Sequence, residues 1–280
     1  MAVYHDLISE LAAKDIDSPR LEARLMLAEV LQDDATSAAI LNAELTEKQQ
    51  NQLKELVARR TQKHEPLDKI LGHKAFYKYD FWVTNDVLSP RPDTEILVEE
   101  ALRLCPETNT AILDLGTGSG CILLSLLKEK SKAQGVGVDI SVTALETARK
   151  NAERLKVAEK VRWIKADWFA PDFLGKETMQ FDIIVSNPPY IPLQEIKELD
   201  DEVKLYDPLV ALSGGADGYE SYHRLAEVIP PLLKDNGYLL LECGKGQAQT
   251  VADIFVEEHL SLCKIAQDLQ GIDRCIILKK

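Results

Sequence analysis

Apolar residues in the first sixty positions recur at intervals of three and four, the spacing of an amphipathic helix. They are Leu7, Leu11, Leu21, Leu25, Ala28, Leu53, Leu56 and Val57. Ser18 followed by Pro19 is typical of a helix N-terminus, and Thr46 with Gln49 three residues later forms a capping box. The pattern predicts a small all-α domain over residues 1–64, which we expect to act as a scaffold or in substrate docking.

A different pattern occupies residues 65–92, where aromatic and β-branched residues come in short runs. These residues are Phe76, Tyr77, Tyr79, Phe81, Trp82 and Val83. Asn85 and Asp86 are expected to form the turn between two strands. The segment is therefore predicted to be a β-hairpin linker that leads into a larger domain over residues 93–280.

From Thr110 onward, short apolar runs alternate with helical stretches. The predicted strands are 111–115, 135–138, 161–164, 181–185, 238–241 and 275–278. Such alternation is typical of α/β proteins, in which helices cover both faces of a mostly parallel sheet. The larger domain is therefore predicted to have an α/β fold.

Composition and charge restrict the partners and the compartment. The chain has 280 residues with 45% hydrophobic and 28% charged residues, which suits a folded protein of two domains. Its net charge of -13 argues against a partner recognised mainly through phosphates, so no direct nucleic-acid binding is expected. The sequence offers neither a signal peptide nor a run of about 18 apolar residues. We expect a cytoplasmic monomer without membrane association.

Cysteine, histidine and acidic residues give no sign of a metal or disulfide site. The cysteines are widely spaced and odd in number, which predicts reduced core residues. They are Cys105, Cys121, Cys243, Cys263 and Cys275. The five histidines lack ligand spacing, so no metal is predicted. An acidic cluster is predicted to be a solvated loop. Its members are Glu195, Glu198, Asp200, Asp201 and Glu202.

A glycine-rich turn follows the first predicted strand and precedes a helix over residues 121–128. Glycine lets a ligand press against the backbone, and the helix N-terminus offers unpaired N–H groups. The spacing is GxGxG rather than the GxGxxG of dinucleotide sites, which argues against a pyrophosphate. The loop therefore predicts a nucleotide-type cofactor site. Its residues are Gly116, Thr117, Gly118, Ser119 and Gly120.

Polar and aromatic residues at the ends of the next two strands fit such a site. Asp139 lies at the end of the second strand, where a carboxylate can accept hydrogen bonds from both hydroxyls of a ribose. Asp167 and Trp168 follow the third strand, which places an indole to lie against adenine and a carboxylate to reach its exocyclic amine. A helix N-cap at Asp139 and a core position for Trp168 are the structural alternatives.

The strand over residues 181–185 leads into the sequence Asn187-Pro188-Pro189-Tyr190. Proline cannot continue a hydrogen-bond ladder, so the strand must end there, at the sheet edge where the glycine loop lies. The Asn187 side-chain oxygen and the Pro188 carbonyl can each accept one N–H of a planar amide or amino group, and Tyr190 can supply a face for it. The motif predicts chemistry at such a nitrogen, with Asn187, Pro188 and Tyr190 as catalytic residues.

The combined motifs resemble those of the protein-(glutamine-N5) methyltransferases of peptide chain release factors, the HemK/PrmC family. The resemblance spans nearly the whole chain, including the helical N-terminal domain. Its motifs are Glu65-Pro66-Leu67, Ile70-Leu71-Gly72, Leu88 to Glu95, the glycine loop, Asp139-Ile140-Ser141, Asn187 to Tyr190, Gly214-Gly215 with Asp217-Gly218, and Leu240 to Gly244.

The resemblance implies a Rossmann-like class I methyltransferase domain that uses S-adenosyl-L-methionine and releases S-adenosyl-L-homocysteine. It implies that the glycine loop, Asp139, Trp168 and Asn187 bind this cofactor. The substrate would be the glutamine in the Gly-Gly-Gln motif of class 1 release factors, held by residues 187–190. Translation termination would be the process served.

Several positions depart from the family pattern, and they put substrate contacts in question more than methyl transfer. They are Asp68-Lys69 in place of Gln-Tyr, Ser89 in place of Ile before Pro90, and Asp207-Pro208 in place of Glu-Pro. Arg91 and Asp93 are expected to stabilise the domain junction or the wall of the cleft, with a surface turn as the alternative.

Three other functions are compatible with the same motifs. A nucleic-acid amino-methyltransferase of the adenine N6 type would use the same strand-end geometry, although the acidic charge disfavours it. A glutamine methyltransferase of a ribosomal protein would differ only in its substrate. A non-catalytic cofactor-binding module would have little reason to combine the glycine loop with the Asn-Pro-Pro-Tyr motif.

Overall fold

The computed structural model describes residues 2–171, 173–174 and 179–280. Its contacts divide the chain into two units. One comprises residues 1–72 together with 201–206, and the other comprises 73–200 together with 207–280. The domain limits expected from the sequence, 1–64, 65–92 and 93–280, remain a prediction.

The N-terminal unit is helical, as the apolar spacing predicts. Leu11, Met26, Leu27 and Ile40 are fully or almost fully buried in its core. The unit contains α1 (Ala2–Ala12), α2 (Pro19–Leu31), a 3-10 turn (Ala38–Asn42), α3 (Glu47–Gln62) and α4 (Leu67–Leu71).

The two predicted helix starts differ in how they are capped. At α3, the Thr46 hydroxyl accepts from the backbone N–H of Gln49, and the Gln49 side chain accepts from the Thr46 N–H. This capping box confirms the prediction. Ser18 lies directly before α2, but its side chain makes no capping hydrogen bond. The start of α2 is therefore marked by Pro19 at the first helical position and not by a side-chain cap.

Residues 201–206 belong to the N-terminal unit although they follow the sheet strand that ends at Ser186. They contain a short helix, Asp201–Lys204. Glu202 pairs with Arg60 at 2.6 Å, and the Tyr206 hydroxyl donates to the Lys63 carbonyl at 2.7 Å. The prediction of a merely solvated acidic loop is therefore wrong for Glu202.

A two-stranded antiparallel hairpin, β1 (His73–Phe76) and β2 (Tyr79–Trp82), opens the second unit. Its turn is formed by Tyr77 and Lys78, with Tyr77 in the left-handed region at φ 56°. The prediction that Asn85 and Asp86 form this turn is wrong, because they follow the second strand. Tyr77 carries no sequence signal for the conformation that it adopts.

The main sheet has the strand order β5-β4-β3-β6-β7-β9-β8, parallel through β7 and antiparallel beyond it. After β5 the chain returns to the other side of β3, which creates a topological switch point at the carboxyl ends of β3 and β6. The strands are β3 (Ala111–Leu115), β4 (Gln134–Asp139), β5 (Val161–Lys165), β6 (Phe181–Ser186), β7 (Leu233–Glu242), β8 (Ser261–Gln267) and β9 (Asp273–Lys279).

Helices cover both faces of this sheet. Alternate residues of β3 point to opposite faces, so Ile112 joins the core beneath α5 and α6 while Leu113 joins the core beneath α10 and α11. This arrangement confirms the predicted α/β fold. The helices of this unit are α5 (Glu95–Leu104), α6 (Cys121–Glu129), α7 (Val142–Arg154), α9 (Leu209–Leu212), α10 (Glu220–Val228) and α11 (Ala248–Glu257), whereas α8 (Asp201–Lys204) belongs to the N-terminal unit.

The cysteines differ in exposure. Cys105, Cys121, Cys243 and Cys275 are buried, whereas Cys263 is exposed on β8, so the prediction of a core position is wrong for that residue.

Throughout the described ranges, every helix is too short or too polar to cross a membrane.

Candidate active site

A cavity of about 560 Å³ lies at the carboxyl ends of β3, β4, β5 and β6, within the second unit. This is where open α/β sheets bind ligands. Predicted residues that line the cavity are Gly116, Gly118, Asp139, Asp167, Trp168, Asn187 and Pro189. The structure thus brings together side chains that are up to 73 positions apart in sequence. Thr117, Ser119, Gly120, Pro188 and Tyr190 are not among the lining residues.

The glycine loop folds back onto β4. The backbone N–H groups of Gly116 and Thr117 both donate to the Val138 carbonyl at 2.9 Å. Gly118 has φ 54°, and a Cβ atom there would meet nothing within 4 Å. At Gly120, φ is 80° and a Cβ atom would lie 3.2 Å from that of Ala148. Gly118 therefore leaves room at the cavity, while Gly120 lets α6 approach α7.

The two remaining loop residues have structural partners. The Thr117 hydroxyl donates to the buried Asp114 carboxylate at 2.6 Å. The Ser119 carbonyl accepts from the Asn151 side chain at 2.9 Å. Burial raises the pKa of Asp114 to about 7, the Thr117 hydrogen bond lowers it, and the nearby Asp139 charge raises it further. These contacts fix the shape of the loop from beneath.

Asp139 lies at the end of β4 with both carboxylate oxygens engaged by backbone donors. The Gly118 N–H donates to Oδ2 and the Ser141 N–H donates to Oδ1, each at 2.9 Å. Burial raises the pKa of Asp139, and these backbone hydrogen bonds oppose the rise. The N-cap of α7 is Ser141, whose hydroxyl accepts from the Ala144 N–H. Asp139 thus links the glycine loop to the end of β4.

Trp168 lies against the glycine loop. A Cβ atom on Gly116 would lie 3.3 Å from the indole ring, so only glycine fits there without a shift. Arg224 holds the backbone of this segment by donating to the Trp168 carbonyl at 2.6 Å. Among the described residues, the buried indole N–H has no hydrogen-bond partner. The Asp167 carboxylate accepts from the Phe169 N–H and also borders the cavity.

The Asn-Pro-Pro-Tyr motif follows β6, whose last residue Ser186 donates to the Leu115 carbonyl of β3 at 2.6 Å. Asn187 and Pro189 face the cavity. Within the part of the chain that the structure describes, no hydrogen bond reaches the Pro188 carbonyl. The Tyr190 carbonyl accepts from the Gln247 side chain at 3.1 Å, and burial raises the pKa of the Tyr190 phenol.

A charged cluster lies behind this motif. Glu242, the last residue of β7, is 2% exposed, and burial raises its pKa to about 7. The Thr94 hydroxyl, the Arg274 charge and the Asn187 amide lower the pKa of Glu242, whereas the Asp93 charge raises it. Arg274 pairs with Asp93 at 3.2 Å. Asp93, which the sequence suggested for a junction or a cleft wall, therefore pairs with the Arg274 guanidinium near Glu242 and offsets part of its positive charge.

Arg91 also has a partner in the second unit. Its guanidinium donates to Asp207 Oδ2 at 2.8 Å, and the Ser89 N–H lies 3.3 Å from Oδ1. The Asp207 side chain is 2% exposed. Pro208, Leu209 and their neighbours then form one wall of the cavity. Asp207 and Ser89, both departures from the family pattern, thus contact each other at this wall.

Several lining residues were missed by sequence reasoning. They are Asp86, Val87, Leu88, Ile140, Ser141, Ala144, Ala166, Phe169, Pro208, Leu209, Val210, Ala211, Ser213, Glu220 and Ser221. Ile140, Phe169, Leu209 and Val210 are exposed apolar residues. Such residues also occur on ordinary surface helices and turns, so nothing in the sequence marks these four as part of a cavity wall. Leu88, Ile140, Ser141 and Pro208 lie in segments that the sequence analysis had singled out, but none of them was predicted to line a site. In the described ranges, no cluster of His, Cys, Asp or Glu is suited to a metal ion.

Comparison with known proteins assigns both parts of the chain. Residues 106–261 match the family described as Methyltransferase domain, and residues 2–72 match the PrmC N-terminal domain. The chain is 40% identical to a Release factor glutamine methyltransferase of Rhodospirillum rubrum, over 95% of this chain and 80% of that protein. It is 42% identical to a protein of the same name from Geobacter sulfurreducens, over 95% of this chain and 91% of that protein.

A solved structure shares the fold at lower identity. A methyltransferase from Pyrococcus furiosus superimposes with a TM-score of 0.54 at 18% identity. The match covers 74% of this chain and 91% of the other. It supports the class I methyltransferase architecture of the second unit.

Proposed function

Because the chain belongs to the family of release factor glutamine methyltransferases, we propose that it methylates N5 of the glutamine in the Gly-Gly-Gln motif of class 1 peptide chain release factors. The methyl donor in this proposal is S-adenosyl-L-methionine. One observation carries it: Asn187 and Pro189 line the same cavity as the glycine loop and Asp139. A donor and an acceptor nitrogen can therefore meet in one place.

The cavity suits a nucleoside carrying a sulfonium. Gly118 leaves open space at the loop, and the Asp139 carboxylate borders the cavity where ribose hydroxyls can donate to it. The Trp168 indole lines the cavity and offers an apolar surface to an adenine ring. These features support binding by Gly116 to Gly120, Asp139, Asp167 and Trp168. When bound, the donor would supply an electrophilic methyl carbon to the glutamine nitrogen, with S-adenosyl-L-homocysteine as the leaving group and the amide proton released to solvent.

The residues after β6 are proposed to make the nitrogen reactive by orienting it. An amide lone pair is delocalised, so it must be aimed at the methyl group. The Asn187 side-chain oxygen and the Pro188 carbonyl are proposed to accept the two N–H bonds of the glutamine amide. The Pro188 carbonyl, which no backbone donor reaches among the described residues, is available for this task. The role of Tyr190 as a face for the planar amide remains a prediction.

Transfer of labelled methyl from S-adenosyl-L-methionine to purified release factor tests this function. Parallel reactions use release factor with the Gly-Gly-Gln glutamine changed to alanine, a ribosomal protein and DNA. Label on the intact release factor alone is the expected result, and Asn187→Ala should abolish it while keeping the unfolding midpoint. Label on the ribosomal protein or DNA would replace the substrate. No label on any acceptor would exclude the proposed activity.

A further inference from the structure

The orientation of the Asn187 side chain is set by two residues behind it. Its Nδ2 atom donates to the Thr94 hydroxyl oxygen at 3.3 Å. The Asn187 amide also lies close enough to the buried Glu242 carboxyl to lower its pKa. A carboxamide nitrogen carries two hydrogens, so it can serve both Thr94 and Glu242 as acceptors. Within the described ranges, no donor reaches Asn187 Oδ1, and the residue borders the cavity.

The direction of these hydrogen bonds follows from the chemistry of Glu242. Above its pKa of about 7 the Glu242 carboxyl is ionised and can only accept, so the Thr94 hydroxyl then donates its single hydrogen toward Glu242. The Thr94 oxygen is then left to accept, and it can accept only from the nitrogen side of the Asn187 amide. Thr94 is 3% exposed and Glu242 is 2% exposed, so water does not compete easily for these contacts.

We propose that Thr94 and Glu242 are positioning residues that hold the Asn187 amide with its oxygen toward the cavity. The proposal rests on the proposed function, in which this oxygen accepts an N–H of the substrate glutamine. A flipped amide would present its own N–H groups to the substrate nitrogen, and two donors cannot pair. Thr94 and Glu242 come from segments 148 positions apart, so the arrangement depends on the fold rather than on the motif.

Threonine variants provide the first test. Thr94→Val keeps the shape of the side chain and removes the hydroxyl, while Thr94→Ser keeps the hydroxyl. We expect Thr94→Val to slow single-turnover methylation of release factor by about tenfold or more, with the dissociation constant of S-adenosyl-L-methionine within about twofold of the wild type. Thr94→Ser should restore most of the rate. Equal losses in both variants, or a wild-type rate in Thr94→Val, would overturn the proposal.

Glu242→Gln tests the direction of the hydrogen bonds. Glutamine has nearly the same shape, but its amide can donate to the Thr94 oxygen and turn the hydroxyl around. The variant should lose about tenfold in rate while its folded state is retained, which separates positioning from a structural role. Retention of the full rate in Glu242→Gln would show that an acceptor-only group is not needed there.

A spectroscopic readout separates this proposal from the choice of substrate. In ¹⁵N-labelled protein, the side-chain NH₂ signals of Asn187 are assigned by their loss in Asn187→Asp. Their exchange with water should be slow in the wild type and in Thr94→Ser, and about tenfold faster or more in Thr94→Val. Unchanged exchange would overturn the proposal. The expected exchange pattern without methylation of release factor would sustain the positioning role and reject the proposed function.

Discussion

Asp139 accepts backbone hydrogen bonds through both carboxylate oxygens and also lines the cavity. Its backbone donors come from Gly118 and Ser141, so the side chain is held before any ligand arrives. A group held in this way loses little freedom on binding, and a charged hydrogen bond contributes about 1.5–3 kcal/mol. The position was readable from the sequence because a strand end followed by an acidic residue is a local signal.

We predict that Asp139→Ala raises the dissociation constant of S-adenosyl-L-methionine by about tenfold to a hundredfold. Asp139→Asn keeps one acceptor oxygen and should lose less. Isothermal titration calorimetry measures both affinities, with thermal unfolding as the check on the fold. Unchanged affinity in Asp139→Ala would reject the ribose-binding role.

The ionisation of Glu242 gives a second prediction at this scale. Its pKa of about 7 in the folded protein lies above the usual 4.5, because burial disfavours the charged form. The native state therefore binds this proton more tightly than the unfolded chain does, and stability is lost as the pH rises from about 4.5 to about 7. The groups that interact electrostatically or by hydrogen bonding with Glu242 are Thr94, Arg274, Asp93, Asn187, Tyr190, Tyr222, Cys121, Cys243 and Cys275.

Glu242→Gln should remove this dependence. The difference in unfolding free energy between the variant and the wild type should grow by up to about 3 kcal/mol between pH 5 and pH 8, with the variant the more stable at pH 8. Urea denaturation at several pH values measures it. Asp114 titrates in both proteins, so its contribution cancels in the comparison. A difference that stays constant with pH would contradict the raised pKa.

Among the elements, α7 connects the hairpin to the glycine loop through Asn151. This fully buried side chain accepts from the Trp82 N–H at 2.7 Å and donates to the Trp82 carbonyl at 3.0 Å. It also donates to the Ser119 carbonyl at 2.9 Å. One carboxamide thus satisfies three backbone groups in two different segments. No motif marked Asn151, because its partners lie 69 and 32 positions away.

We predict that Asn151→Ala costs about 2–4 kcal/mol of stability, since it leaves several backbone groups without partners. It should also weaken S-adenosyl-L-methionine binding, because the Ser119 carbonyl is no longer fixed. The exposed Glu153→Ala on the same helix is the matched control, and it should change stability by less than about 0.5 kcal/mol. Chemical denaturation measures the change in stability, and calorimetry measures the affinity for S-adenosyl-L-methionine. Equal effects of the two substitutions would count against the role of Asn151.

The strands differ in how readily the sequence revealed them. β3 was predicted with its full bounds, because both of its faces are buried and Asp114 is the one polar residue in an otherwise apolar run. β8 was missed, since most of its residues are exposed and the segment Ser261–Gln267 has no apolar run. Its strand conformation comes from antiparallel pairing with β9, which is a tertiary effect.

At the scale of the whole molecule, the buried cation Arg60 links the two sequence segments of the N-terminal unit, residues 1–72 and 201–206. Arg60 is 5% exposed and pairs with Glu22 at 2.7 Å as well as with Glu202. The Glu22 side chain is 13% exposed, whereas that of Glu202 is 39% exposed. Loss of the arginine therefore leaves a largely buried carboxylate without its counter-charge, which is costly.

We predict that Arg60→Met destabilises the protein by about 2–4 kcal/mol, while Glu202→Gln costs less than about 1 kcal/mol because that pair is partly solvated. Scanning calorimetry of the full chain measures both changes. A loss in Glu202→Gln as large as that in Arg60→Met would show that the exposed pair, rather than the buried one, stabilises the N-terminal unit.

The inclusion of residues 201–206 in the N-terminal unit has a consequence for the history of the gene. Deletion of residues 1–72 would leave Glu202 without Arg60 and the Tyr206 hydroxyl without the Lys63 carbonyl. A shortened descendant would keep residues 201–206, which follow the Asn-Pro-Pro-Tyr motif, far from the site of the deletion. The helical unit is thus encoded in two separate parts of the gene, and removal of the first 72 codons does not remove all of it.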